Sequence, residues 1–455
     1  MATPSKATIA ATRFGYGFHP DQALAADAEG LLAELGGANA ASPDLGGPSL
    51  AARAALYSQF LEARKARRRD ISLTPVMQGF QRRINRQFQA DVAARISAPI
   101  VSDRGFFERL SWFWTDHFTT ASRNLITKSL TPRLEPDAIR PHITGSFRDM
   151  LRAVATHPAM IVYLGQHRSV GPASRVGKRK KRGLNENLAR EIIELHTLGV
   201  GGPYDQGDVR QFAELLTGMT VDRRTGATVF RPQQAEPGTE EVLGVVYGDD
   251  RPDLGDIIEA LDDLASHPRT GRHIARKLAT HFVSDTPGEG LITHLESAFN
   301  RTDGRLTAVY QALLEHPESW APEARKVKQP FDFLVSSIRA AGVGDDMSKP
   351  FLRPKGRLSV ARALRDLNQP MMQAPGPDGW PEEAGRWITA QGLAARLQWA
   401  ARLGRELEGR MDPRAYLAAA LDDRASREVT FAATRAAEKW EGIALILASP
   451  EFNRR

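Results

Sequence analysis

Apolar residues recur at three- and four-residue spacing along most of the chain, and that period predicts helices. The clearest stretches are 49–67, 76–97, 103–118, 185–198, 208–218, 255–265, 270–283, 305–315, 325–341, 357–367, 390–407 and 429–448. Alanine, leucine and arginine dominate them, and all three are good helix formers. Between Met219 and Asp250 the pattern changes: Val221, the Arg224-Thr225-Gly226 turn, Thr228 to Phe230 and Val242 to Tyr247 predict a small hairpin-like insertion. The expected fold class is all-α, a large multi-helix globular bundle with a small β-hairpin-like insertion. A single helical domain over 1–455 fits this pattern, as do two intimately packed subdomains, 1–218 and 251–455, with 219–250 inserted between them.

Glycine and proline mark the loops at 36–49, 165–183, 199–207, 342–356 and 370–385. The last holds Ala374-Pro375-Gly376-Pro377-Asp378-Gly379-Trp380-Pro381, a stiff stretch that either serves a site or wraps the helices with Trp380 as a plug. His-Pro follows an apolar run at His157-Pro158, His267-Pro268 and His316-Pro317, with Ser449-Pro450 as a partial echo. Proline disfavours helix in the residue before it and suits the first helical position, so each pair is expected to cap a new helix.

Composition narrows the class of protein. Apolar residues at 42% and charged residues at 25% are ordinary globular proportions. The absence of cysteine excludes disulfides, thiolate nucleophiles, iron–sulfur clusters and cysteine-ligated zinc. No run is long and apolar enough to span a membrane, and Met1 to Phe14 has no apolar core of export-signal length, so cytoplasmic residence is the expectation. Net charge is +7, a mild excess gathered in two knots, Lys65 with Arg67 to Arg69, and Lys178 to Arg182. Solvated loops account for both; nucleic-acid binding is disfavoured because no recognition motif accompanies them.

The most distinctive segment runs from Gly183 to Gly199. At about 100° per residue, Asn187, Glu191 and Glu194 share a stripe with Arg190 beside them, opposite Leu188, Ile192 and Leu195. Glu191 and His196 lie about 140° apart, which is not the shared face that bundle metal ligands require. His196 therefore reads as a buried, hydrogen-bonded histidine near a helix end. Glu191 and Glu194 are candidate paired carboxylates, one ionised and one with a raised pKa, although Arg190 would keep a neighbour charged. An exposed face with internal ion pairs is the alternative.

A second cluster, Leu110 to Thr120, sets Trp112 and Trp114 around Asp116 and His117. Tryptophans beside an acid–base group could stack a sugar or another planar ligand, and aromatic density of this kind also builds cores. Asp116 and His117 are adjacent, so a helix points them apart. Nucleophile-elbow, phosphate-loop and dinucleotide fingerprints are missing, which leaves the cofactor and any metal unassigned.

Asn185 to Gly199, Trp112 to Phe118, Phe147 to Tyr163, Lys277 to Asp285, Lys326 to Phe333, Pro377 to Pro381 and Ser449 to Phe452 together carry a resemblance. The chain resembles the bacterial domain-of-unknown-function family 1800 (DUF1800), from about Arg13 onward. The resemblance implies no established activity. It does imply genomic neighbours that look like sulfatases and phosphatases, and relatives with export signals, which makes the periplasm the alternative compartment. Two departures stand out. Thr115 replaces the first histidine of the family's Trp-His-Asn-His-Phe, and Gln233 to Gly238 replaces its His-Asp and Gly-x-Lys. Asn187, Arg190, Glu191, Glu194 and His196 keep the family pattern.

The leading expectation is a hydrolase acting on an anionic or sugar-containing substrate. Glu191 and Glu194 are its candidate acid–base carboxylates, and Asp116 is a second acid from another element. Asn187, Arg190, His117, Lys178, Arg179 and Arg182 would bind substrate, with Trp112 and Trp114 lining the pocket. The competing expectation is a non-catalytic binding or escort module for a sulfatase- or phosphatase-like partner protein, with the same helix stripe as a structural network.

Overall fold

The computed structural model describes residues 3–23, 25–36, 45–180, 183–343, 350–354 and 356–455. The chain is 63% helical, and two antiparallel two-stranded ribbons are the only sheets among the described residues. The fold is all-α with a small β insertion, as the periodicity implies.

The helices that organise the core are α1 (Leu50–Arg67), α2 (Thr74–Val101), α3 (Gly105–His117), α4 (Phe147–Ala155), α5 (Asn187–Glu191), α6 (Gln206–Leu215), α7 (Leu254–Ser266), α8 (Pro268–Phe282), α9 (Glu289–Arg301), α10 (Leu306–Glu315), α11 (Pro330–Arg339), α12 (Ala390–Leu407), α13 (Pro413–Leu421), α14 (Arg427–Arg435) and α15 (Lys439–Ala448). The predicted helix 325–341 starts only at Pro330, which takes the first-turn position where a missing N–H costs nothing. The predicted helix 429–448 is two helices, α14 and α15, with α15 entered through a capping box between Glu438 and Glu441. Helices α4, α9 and α13 fall outside the predicted stretches.

The ribbons occupy the predicted insertion. Met219–Val221 (β1) pairs with Thr228–Phe230 (β2) around the Arg224-Thr225-Gly226 turn, and Glu240–Val242 (β3) pairs with Val245–Tyr247 (β4).

Each His-Pro pair caps a helix. The side chains of His157, His267 and His316 accept hydrogen bonds from the backbone N–H two residues on, those of Ala159, Arg269 and Glu318. The Ser449 hydroxyl accepts from the N–H three residues on, that of Phe452. The first basic knot has a similarly local reason: Arg64, Lys65 and Arg67 sit in the last turn of α1, where positive charge meets the negative end of the helix dipole.

Two large apolar clusters form the interior. One gathers Phe14, Phe106, Leu110, Trp114, Phe147, Ile192, Phe212, Leu261, Phe282 and Tyr310. The other gathers Tyr16, Ile96, Phe331, Phe333, Trp399, Leu403, Tyr416, Ile446 and Phe452. Buried charge links the helices that carry them. Arg109 of α3 holds Asp332 of α11 through two hydrogen bonds, 2.9 and 3.2 Å, and Arg455 reaches the same carboxylate at 3.0 Å. Beside them Arg140 binds Glu108 and Glu135, and the Arg95 Nε lies 2.6 Å from Glu135. Such pairs hold position more than they add stability, because desolvation offsets much of the attraction.

Candidate active site

The end of α3 sorts its side chains by helical geometry. Trp112 and Asp116 are one turn apart and face the same way, whereas Phe113, Trp114 and His117 turn toward the first apolar cluster. Trp112 lies flat on Phe331, ring centroids 4.0 Å apart. Trp114 is buried in the core, its indole N–H donating to the Tyr310 hydroxyl at 2.6 Å, so it lines no part of the cleft described below. His117 is buried too. Its Nε2 is 3.2 Å from the His196 carbonyl, and its ring centroid is 6.0 Å from that of His196 and 6.1 Å from that of His273.

Across Asp116 runs the glycine- and proline-rich loop. Gly376 to Gly379 form a tight turn, with proline second and glycine fourth as a type I turn favours. Gly379 has φ +85°, and a Cβ on it would lie 2.7 Å from the Asp116 carbonyl oxygen and 2.9 Å from the carboxyl carbon. Only glycine permits that approach. The turn delivers the Trp380 N–H to both carboxyl oxygens of Asp116, at 3.0 and 3.2 Å. Arg123 and Ser122 fasten the loop by donating to the carbonyls of Pro375 and Met372. Between loop and helix opens a small, half-open cleft with Trp112, Asp116, Trp380, Thr131, Arg95 and Glu135 on its walls.

Asp116 is half-buried and has no ion-pair partner among the described residues. Burial raises its pKa to about 8. Glu382 and Asp378 add to the rise, and the Trp380 N–H and the more distant Lys277 act against it. The carboxyl is thus protonated at neutral pH.

Behind Asp116, α8 presents His273, Lys277 and His281, spaced by four residues along one stripe. Burial lowers the Lys277 pKa, with Asp116, Glu382 and Asp378 opposing the fall. Burial, with the Lys277 charge adding to it, keeps His196 neutral down to about pH 3 and His273 down to about pH 4. The Nδ1 atoms of His117 and His196 are buried without hydrogen-bond partners among the described residues. His196 is therefore as buried as its sequence position suggests, but its Nδ1 lacks the hydrogen bond such burial calls for. His281 instead meets Glu382 at 2.5 Å, and Lys326 binds Glu382 and Asp285 at 2.8 and 2.6 Å. Against burial, which would raise it, His281 and Lys326 hold the Glu382 carboxyl well below the usual range.

The Asn187 to Gly199 segment begins as α5 and widens into a π-helical turn, Ile192–Thr197. The Leu198 N–H reaches back to the Ile193 carbonyl, and the Thr197 hydroxyl bonds the Ile192 carbonyl at 2.7 Å. Such wide turns interrupt the 100° wheel and recur at functional sites. Arg190 commits to Glu194 at 3.1 Å, Glu186 at 3.3 Å and Gln206 at 2.8 Å. Glu191 is left half-buried and without an ion pair among the described residues; burial, then Glu194 and Asp378, raises its pKa to about 7 against the pull of Arg190. Asn187, Lys178 and Arg179 are exposed, and Arg182 lies outside the described residues.

Among the described residues no group of three or more His, Asp or Glu side chains is arranged to hold a metal ion. No helix of the described residues is long and apolar enough to cross a membrane.

The model of the family described as "Protein of unknown function (DUF1800)" matches residues 9–454. The chain belongs to this family. No curated protein and no solved structure matches it. The DUF1800 match takes in both sides of the cleft, α3 and the Pro377 to Pro381 turn, together with α5 and α8. Arg95, Thr131, Glu135 and Lys277, in or near the cleft, escape a reading of the sequence. For Lys277 a signal exists in the His273, Lys277, His281 spacing, since three ionisable residues one turn apart among Ile274, Leu278 and Phe282 mark a polar stripe inside a core.

Proposed function

We propose that the chain is a hydrolase acting on an anionic or sugar-containing substrate, with Asp116 as general acid and Glu191 as general base. The observation that carries this reading is the Asp116 carboxyl itself, unpaired, capped by a backbone N–H and facing a cleft with two tryptophans. A carboxyl that stays protonated at neutral pH can give its proton to a leaving oxygen. A second carboxyl titrating near pH 7 is ionised often enough to take one from water. Carboxyls pushed to different degrees by their surroundings are a recurring basis for such a division of labour. Asp378, exposed on the turn, raises the pKa of both. Glu194 falls out of the acid–base pair because Arg190 holds it as an ion pair.

The test is hydrolysis of chromogenic glycosides, phosphate esters and sulfate esters by the wild type, Asp116→Asn and Glu191→Gln. Removing an acid or a base costs about a hundredfold or more in rate. Turnover that survives both substitutions unchanged, in folded protein, overturns the reading.

A further inference from the structure

We infer that the cleft beside Asp116 is a subsite for a neutral sugar ring or a comparable polyol, and not for a free anion. This rests on the acid–base reading of Asp116 and narrows its substrate class.

Arg95 is only 2% exposed and lines the cleft, so taken alone it would suggest an anion site. It is not alone. Its Nε is 2.6 Å from a Glu135 carboxyl oxygen and its Nη1 is 3.6 Å from Glu108, while Arg140 binds both carboxylates from the other side. Two guanidinium groups face two carboxylates, and the quartet carries no net charge. An incoming sulfate or phosphate would meet Glu135 on the wall with no surplus of positive charge to offset its desolvation.

The cleft walls hold hydroxyls, which can both donate and accept, and buried polar atoms beside them lack well-formed hydrogen bonds. The Arg95–Glu135 contact is close but poorly angled, and none of the three Arg95 guanidinium nitrogens makes a well-formed hydrogen bond. The Thr131 hydroxyl is likewise buried without a partner among the described residues. Buried donors left idle cost free energy unless something fills them. Acceptors are equally at hand. Thr115 and Thr119, both on the cleft walls, donate their hydroxyl protons to the carbonyls of Ser111 and Asp116, which leaves their oxygens able to act only as acceptors. A sulfate or phosphate diester only accepts hydrogen bonds, so it would leave those oxygens unused. A sugar hydroxyl both donates and accepts. Its ring also presents an apolar C–H face, and Trp112, backed by Phe331, and Trp380 supply flat surfaces for one.

Tryptophan fluorescence titrations test this on the full chain, using the methyl glycosides of glucose, galactose, mannose and N-acetylglucosamine, with sodium sulfate and inorganic phosphate as the anionic probes. At least one glycoside is expected to bind saturably, Thr131→Val to weaken it about tenfold at an unchanged Tm, and neither anion to compete. Thr120→Val, on the same wall, serves as the second variant if Thr131→Val lowers the Tm. Saturable anion binding that displaces the glycoside overturns the inference. So does the absence of binding by every glycoside, or glycoside affinity that both threonine variants leave unchanged. Glycoside binding that persists in Asp116→Asn, in a protein with no hydrolytic activity toward any glycoside, would instead sink the acid–base reading and leave the sugar subsite standing.

Discussion

The backbone N–H of Trp380 points at both carboxyl oxygens of Asp116, joining two positions 264 residues apart in the chain. One N–H is too little to keep this half-buried carboxylate ionised, which is why desolvation prevails and the pKa rises to about 8. The unfolded chain releases this proton near pH 4, the folded one only near pH 8. Between those values the folded state holds the extra proton, so stability falls as pH rises through the window. The slope approaches about 1.4 kcal/mol per pH unit at its steepest. Asp116→Asn removes this component and keeps an oxygen for the Trp380 N–H. Its Tm is expected to exceed that of the wild type at pH 8 and to converge with it toward pH 4, measured by thermal melts across that range.

Gly379 makes this contact possible, and Gly379→Ala is expected to break it. The substitution brings a Cβ to within 3 Å of Asp116 and forces a left-handed residue to carry a side chain. The backbone cost alone is about 1–2 kcal/mol. The loop should lift, admit water to Asp116 and return its pKa toward the ordinary carboxylate range. Carboxyl-region NMR titration of the two proteins reads that shift directly; an Asp116 pKa unmoved by the alanine would mean that the turn does not control the site.

How much of this was legible in the sequence follows from how local each feature is. The His-Pro caps are set by two adjacent residues, and His157, His267 and His316 all perform as that chemistry dictates. The fate of Glu194 was half legible, since Arg190 stands four residues before it and pairs at that spacing are natural partners. Trp112 and Trp114 differ by two residues, so a helix had to separate them, but which one met the cleft depended on Phe331, far along the chain. The lid over Asp116 and the Arg95–Glu135 contact are long-range, and no period or spacing announces them. The wide turn at Ile192–Thr197 defeats the helical wheel itself, because the angle per residue changes there.

The buried histidines predict steep acid sensitivity. Burial comes first among the causes that hold His196 to a pKa of about 3 and His273 and His281 to about 4. Unfolded, each would bind a proton near pH 6.5. The unfolded state therefore binds more protons between pH 6.5 and about 4, and the stabilisation present above that window is lost as pH falls through it. Urea midpoints measured from pH 7 to pH 4 are expected to drop accordingly, and His273→Gln, which cannot protonate, should flatten the profile. A parallel profile for the variant would show that His273 does not titrate in this range.

The strongest single dependence on one side chain is expected at Asp332. Its carboxylate is buried between Arg109 and Arg455, with Lys328 also near, and together they outweigh the burial that would raise its pKa. Asp332→Asn keeps the shape but strands two buried guanidinium groups beside a neutral amide. Breaking a buried pair from one side costs about 3–5 kcal/mol, far more than the intact pair contributes. The effect should exceed that of Glu194→Gln, where a partly exposed ion pair with Arg190 is worth under about 1 kcal/mol. Chemical denaturation of the two variants side by side ranks them. An Asp332→Asn protein as stable as Glu194→Gln would mean that water or a rearranged carbonyl takes over from the carboxylate, and that the seam between the two apolar clusters is looser than its distances imply.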